Sequence, residues 1–319
     1  MNDIHLPRRA TAAALTTSAL LALSACGDGG ATATGDTKPP AAVEVAGVSV
    51  KKDAKLHAAL PDAVKKSGTV RVATDVPYAP FEMFVTEGKS ELTGLDYDLG
   101  QAIGARLGVK FAFTPQKFDG IVPAIQANKF DVAMSAMTDN KERQAVVDFV
   151  DYSISGSGIM VAKGNPEKIT TLDDLCGKKV AVQAATNQLD LLKNHQAACR
   201  KAGSGAIGIQ TFPKDSDAQL ALRADKVVAQ VLTKPAAGWT AKTADDGKAF
   251  EVVDDPAATG GYNASPNGIA VSKQLPELTD AIQKALQTLI DDGTATKIFA
   301  KYGVESIVVK EATRNAAVD

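Results

Sequence analysis

The chain has 319 residues, 45% of them hydrophobic, 23% charged and 5% aromatic, with 35 basic against 37 acidic side chains and a formal charge of −2. This composition describes a soluble globular protein of one large or two modest domains, and it excludes collagen-like, disordered and multi-span membrane chains. Near-balanced charge without a long basic run also argues against a protein built to grip nucleic acid phosphates.

The chain starts with an address. Arg8 and Arg9 precede an uncharged run from Ala10 to Ala25, rich in Ala, Leu and Thr, which meets Cys26. A basic region followed by an apolar stretch too short to span a bilayer reads as a signal peptide over residues 1–25. The junction Leu23-Ser24-Ala25-Cys26-Gly27 resembles a bacterial lipobox, in which the cysteine is lipidated and begins the mature protein. The resemblance implies a lipoprotein on the outer face of the cell membrane, anchored in the bilayer through Cys26, because two acyl chains hold stably where one is marginal. The Arg8-Arg9 pair leaves both Sec and twin-arginine export open. Residues 26–61, rich in Gly, Ala, Thr and Pro, are expected to be a flexible tether.

Cys176 and Cys199 remain, an even pair in an exported protein, and a disulfide is the expectation. Two buried free thiols are the alternative. A metal site is not expected, since neither cysteine has a second one at metal-ligand spacing and only His195 is nearby.

From Thr69 onward, short β-branched runs alternate with amphipathic stretches. In order come TVRVATD (69–75), DYDLGQAIGARLG, VKFAFTP, FDGIVPAIQAN, FDVAMSA (130–136), SGIMVAK and KKVAVQ (178–183). A helix over about 186–201, then GIQTF, SDAQLALRAD and KVVAQVL, continue the pattern. Such alternation predicts an α/β fold. Leu278, Ile282, Ala285, Leu286, Leu289 and Ile290 recur at helical spacing and stop before Gly293, a suitable C′ residue. TATKIFAKYG reads as a further short helix ended by Gly303.

Five segments, in order, carry a resemblance to a known family: TDVPYAPFEM (74–83), GLDYDLGQAIGARLG (94–108), FDGIVPAIQANKFDVAMSAMTDNKERQAVVDF (118–149), DLCGKKVAVQAATNQ (174–188) and NGIAV (267–271). Over about 60–304 the chain resembles the extracytoplasmic substrate-binding proteins of ATP-driven importers that carry polar amino acids. The resemblance implies a periplasmic-binding-protein-like fold of two α/β lobes joined by two hinge strands, with a ligand cleft between them. Lobe 1 would comprise 62–155 plus 264–319 and lobe 2 would comprise 156–263. The implied function is capture of a small polar solute, an amino acid or related carboxylate, and its delivery to an ABC permease in the membrane. No cofactor is implied, and nothing demands more than a monomer.

Carried over residue by residue, the resemblance makes Arg143 a carboxylate clamp, with Thr138 completing it and Ser135 and Ala136 in the same segment. A guanidinium offers paired, parallel hydrogen bonds to a carboxylate; the alternative is a surface arginine pairing with Asp139 or Glu142. Thr186, Asn187 and Gln188 open a helix whose free N–H groups face the cleft, although Thr186 can equally cap its own helix. Tyr78 and Phe118 match an aromatic pair that sandwiches the ligand's stem, with Phe81 supporting the same loop. Asp75 either accepts from a cationic or amide side chain of the ligand or simply ends its strand. Thr233 stands where the family places the aspartate that holds an α-ammonium, and Val228 and Ala185 replace another usual Asp and a frequent Gly. A free amino acid should therefore bind weakly unless Asp139, Asp190 or a water-filled cleft substitutes. Alternatively the ligand lacks an α-amino group, or the protein no longer transports and acts as a sensor or interaction lipoprotein.

Catalysis is the remaining rival, because similar folds host a few lyases and hydrolases. His195, expected on an exposed helix, is the one histidine inside the predicted folded region, and no GxSxG elbow is present. The chain is therefore expected not to be an enzyme.

Overall fold

The computed structural model describes residues 42–86 and 88–317. The signal segment 1–25, Cys26 and the start of the expected tether lie outside them. The tether does not run to residue 61: Val43–Val45 and Val48–Val50 pair as a hairpin, and Ala54–Ala58 forms a helical turn capped by Asp53. Val45, Val50 and Leu60 are buried in the main core. Two isolated valines on each arm of a hairpin have enough apolar area to dock, although their Gly- and Ala-rich surroundings conceal it.

Thr69–Thr74 lies between Lys110–Pro115 and Val132–Ala133, parallel to both. The 130–136 run thus supplies only two strand residues before it turns into the cleft. Across the molecule, Lys179–Gln183 pairs in parallel with Gly208–Phe212 and with Ala229–Thr233. Two long antiparallel strands, Val147–Ala162 and Tyr262–Ser272, connect these groups into one path of eight strands, with Phe250–Val252 pairing beside it on the first long strand. Each long strand begins in one half and ends in the other, so the chain passes between two α/β lobes twice.

Helices cover each half. Leu95–Leu107 buries Leu95, Leu99, Ile103 and Leu107 on one face, and Pro276–Asp291 buries Leu278, Ile282, Ala285, Leu286 and Leu289 beside it. Gly293 takes a left-handed φ of 77° between that helix and Thr294–Lys301. A second apolar cluster, including Ile159, Val161, Val180, Val182, Leu192 and Val231, fills the other half. The C-terminal segment returns along the first long strand, with Val309 N donating to Tyr152 O at 3.2 Å and Asp151 N to Thr313 O at 2.9 Å.

At the crossing, Gly156 N donates to Gly260 O at 2.9 Å. A Cβ on either Gly156 or Gly261 would run into the backbone of the other, so this close approach of two chains requires glycine on both sides.

Cys176 and Cys199 form a disulfide with Cα atoms 5.4 Å apart, tying the turn Asp173–Leu175 to the helix Asn187–Lys201. Closing a loop of this length stabilises by about 3 kcal/mol in the chain-entropy picture. Replacing both cysteines with alanine should lower the urea midpoint by about that free energy. Equal midpoints for oxidised wild type and the double variant would refute it.

Candidate ligand-binding site

The site is assembled at strand ends. In open α/β sheets, ligands sit beyond the carboxyl ends of the strands, where backbone groups and loops converge. Asp75 follows Thr69–Thr74, Gln183 ends Lys179–Gln183 and Thr233 ends Ala229–Thr233. These residues and their neighbours line a cavity of about 20 Å³, room for about one water, so in this arrangement the walls have closed on each other. All eleven expected site residues line it: Asp75, Tyr78, Phe118, Ser135, Ala136, Thr138, Arg143, Thr186, Asn187, Gln188 and Thr233.

On the first wall, Ser135 Oγ accepts from Asp75 N at 2.9 Å and donates to Glu82 Oε1 at 2.7 Å. Ala136, in a left-handed conformation (φ 44°), donates its N–H to Asp96 Oδ2 at 2.7 Å. Asn140 caps the short helix Lys141–Gln144 by accepting from Arg143 N at 2.8 Å, and this turn places Arg143 over the cavity. The guanidinium donates to Thr138 O at 2.7 Å and to Ala185 O at 2.9 Å, and its carbon lies 5.4 Å from the Phe118 ring centre. Its plane is therefore fixed by carbonyls from both walls and by one ring face.

On the second wall, Thr186 caps the helix Asn187–Lys201, accepting from Leu189 N at 3.2 Å while donating to Gln183 O at 2.8 Å. Both readings of Thr186 coexist, as it is a cap and also lines the cavity. Ala185 holds a φ of 60°, a left-handed position that a glycine would occupy more easily.

The walls meet directly over the cavity. Tyr78 Oη lies 2.8 Å from Thr233 Oγ1 and accepts from Thr233 N at 3.0 Å. Gln183 Nε2 donates to Asp75 Oδ2 at 2.6 Å, and Asn140 Nδ2 to Asn187 Oδ1 at 2.9 Å. With the Arg143 contact to Ala185, four pairings bridge the lobes.

Sequence reasoning missed Glu82 and Gln183. Gln183 was readable from the strand-end rule, since it closes KKVAVQ just as Asp75 follows TVRVAT. Glu82 lies in a segment singled out for its aromatics, and no periodicity marks it as buried; it is 1% exposed. Two expectations about acids fail. Neither Asp139 nor Asp190 lines the cavity: Asp139 Oδ1 accepts from Gln144 at 2.8 Å, and Asp190 pairs with Lys193 at the surface. His195 is not exposed either; its side chain retains 15% exposure and Nε2 lies 2.8 Å from Asp173 Oδ1.

The remaining acids favour their neutral forms. Burial raises Glu82 well above the usual carboxyl range, and repulsion from Asp96 adds to it. Burial also raises Asp96 to about 7 and Asp215, behind Asp75, to about 7. Asp75 is raised by burial and partly brought back by the Gln183 amide. The wall thus presents one permanent cation, Arg143, facing carboxyls that resist ionisation.

Residues 70–305 match the sequence pattern of bacterial extracellular solute-binding proteins, family 3. The arginine-binding protein ArgT of Corynebacterium glutamicum is 30% identical over 262 residues, covering 82% of this chain and 83% of that one. The L-cystine-binding protein TcyJ of Escherichia coli is 30% identical over 260 residues, covering 81% and 90%. A solved ancestral amino acid-binding protein, described as a precursor of cyclohexadienyl dehydratase, is 35% identical with a TM-score of 0.65, covering 76% of this chain and 98% of its own. Among the described residues no helix is long and apolar enough to cross a membrane. Matched over most of its length, the chain belongs to the bacterial extracellular solute-binding proteins, family 3.

Proposed function

We propose that this protein captures a small carboxylate solute, amino acid-like in size, between its lobes and delivers it to an ABC permease, while lipid on Cys26 holds it to the outer face of the membrane. The carrying observation is Arg143, held in plane by Thr138 O and Ala185 O at the wall of an interlobe cavity. The relatives named for binding arginine and cystine support an amino acid-like ligand. Lobe 1 comprises 62–155 plus 264–319 and lobe 2 comprises 156–263, with the hinge at the Gly156–Gly261 crossing. Closure draws its energy from the ligand's preference for the closed arrangement. The cavity-lining residues all come from one chain, which is compatible with action as a monomer. Relatives named as binding proteins support a binding role over a catalytic one.

Thr233 sets the ligand class. Its N–H and hydroxyl are both engaged with Tyr78 Oη, and the cavity's acids, Asp75 and Glu82, are both pushed toward their neutral forms by burial and so are poor counter-charges for an α-ammonium. A charge-assisted hydrogen bond contributes about 1.5–3 kcal/mol, so Thr233→Asp should raise the affinity for a free amino acid by roughly tenfold to a hundredfold. Calorimetry on wild type and variant, with amino acids and their 2-hydroxy and 2-oxo counterparts, tests this. Wild type should favour the counterparts and the variant the amino acids; an unchanged preference overturns the assignment. The sensor or interaction reading rests on the same neutral Tyr78–Thr233 contact. Absence of thermal stabilisation across the whole panel would favour it over transport.

A further inference from the structure

Asp173, Cys176, His195 and Cys199 come together at one corner of lobe 2. Ligand atoms of Cys176, His195 and Cys199 lie within 4.8 Å of one another. His195 and Cys199 stand at His-x3-Cys spacing on one helix face, Cys176 joins them from the tight turn, and Asp173 on that turn lies beside the ring. A short His/Cys spacing on one helix face with a further Cys from a nearby turn is a donor set found in structural zinc sites. Counting distances between cysteines alone hides the pattern, because the local partner of Cys199 is a histidine.

We propose that reduction of the Cys176–Cys199 bridge turns this corner into a site for a zinc-class divalent ion, held by the two thiolates and a ring nitrogen of His195, with Asp173 orienting the ring. In the oxidised protein both sulfurs are spent on each other and cannot coordinate as thiolates. A dithiol reductant converts them. Its thiolate attacks Cys176 Sγ, the less buried sulfur, and Cys199 leaves as a thiolate; the reductant's second thiol then displaces Cys176. Two electrons pass from the reductant, which becomes a disulfide, and its two thiol protons are released as the thiolates take the ion.

The donors suit that ion. Zinc–sulfur bonds of about 2.3 Å and zinc–nitrogen bonds of about 2.0–2.1 Å require ligand atoms roughly 3.3–3.8 Å apart in a tetrahedron. The three atoms lie within 4.8 Å of one another, and the two sulfurs, bonded in the oxidised protein, must move apart by side-chain rotation once reduced. His195 Nε2 is buried and lies 2.8 Å from Asp173 Oδ1 without hydrogen-bond geometry; a small turn of the ring lets one nitrogen donate to that carboxylate while the other coordinates, the pairing that usually fixes a ligating imidazole. Two thiolates and an imidazole select zinc over calcium or magnesium.

Titration of full-length protein with Co²⁺, followed by Zn²⁺ displacement, decides the matter. Protein reduced with a phosphine and kept anaerobic should take up one ion per chain, with a thiolate-to-cobalt charge-transfer band that zinc abolishes. Oxidised protein should show neither. His195→Ala leaves the disulfide and fold in place and, once reduced, should bind about 10–100-fold more weakly. No uptake by reduced protein, equal uptake by oxidised protein, or an affinity unchanged in His195→Ala would each overturn the proposal.

Discussion

Replacing Arg143 with alanine should reduce affinity for the best carboxylate ligand by about 30-fold to several thousandfold, the equivalent of 2–5 kcal/mol for truncating one partner of a buried, hydrogen-bonded charge pair. The size of the effect follows from the surroundings. Arg143 supplies the wall's permanent positive charge, and Glu82, Asp96 and Asp215 are all held toward neutrality. The guanidinium also spans the lobes through Thr138 O and Ala185 O, so its loss weakens closure as well as ligand contact. Arg143→Lys keeps the charge but not the planar fork, and should fall between the two. Calorimetry gives the affinities, and thermal unfolding without ligand checks the fold. Binding by Arg143→Ala within threefold of wild type would remove Arg143 from the site.

The architecture was legible wherever one element stays in one environment. Pro276–Asp291 buries one face along its whole length, and the 3.6-residue period of Leu278, Ile282, Ala285 and Leu289 shows it. The long strands were harder to read because each changes environment midway. Val147–Ala162 passes through Ser153, Ser155, Gly156 and Ser157 at the crossing, and that polar interruption makes one strand resemble two. The Val43–Val50 hairpin was concealed by composition, since a tether and a small docked hairpin share Gly and Ala. Arg143, Thr138 and Tyr78 stood out because their residue types imply a chemistry. Glu82 and Asp96 did not: Asp96 sits in DYDLGQ, where an acid in a helix's first turn normally faces solvent, yet it is fully buried against Ala136 N. Burial of that kind is set by packing between distant segments, which local sequence does not encode.

The same buried acids predict an unusual dependence of stability on pH. Burial raises Asp96 to about 7 and Asp215 to about 7; burial and repulsion from Asp139 raise Asp151 to about 6, and Glu82 stands well above the normal range. Each holds its proton in the folded chain where the unfolded chain has lost it. Between about pH 4 and 7 the folded state therefore binds more protons, and the free energy of unfolding falls as pH rises through that window. The opposing group acts lower. Asp292 and Asp148 have lowered values because bonds to neighbours, Arg106 and Arg314 among them, outweigh burial. Their contribution is present above pH 4 and lost below it. Stability should thus peak near pH 4–5 and decline toward pH 8. A three-unit shift corresponds to about 4 kcal/mol at most for Asp96, less what its coupling to Glu82 shares. Asp96→Asn keeps an oxygen to accept from Ala136 N but cannot ionise. Urea unfolding at pH 5 and pH 8 should show wild type losing at least about 2 kcal/mol more than the variant across that interval. At pH 8 the variant should equal or exceed wild type, because only wild type must then hold a buried charge beside Glu82. Parallel pH profiles for the two proteins would show that Asp96 is ionised throughout, and would require a cation beside it.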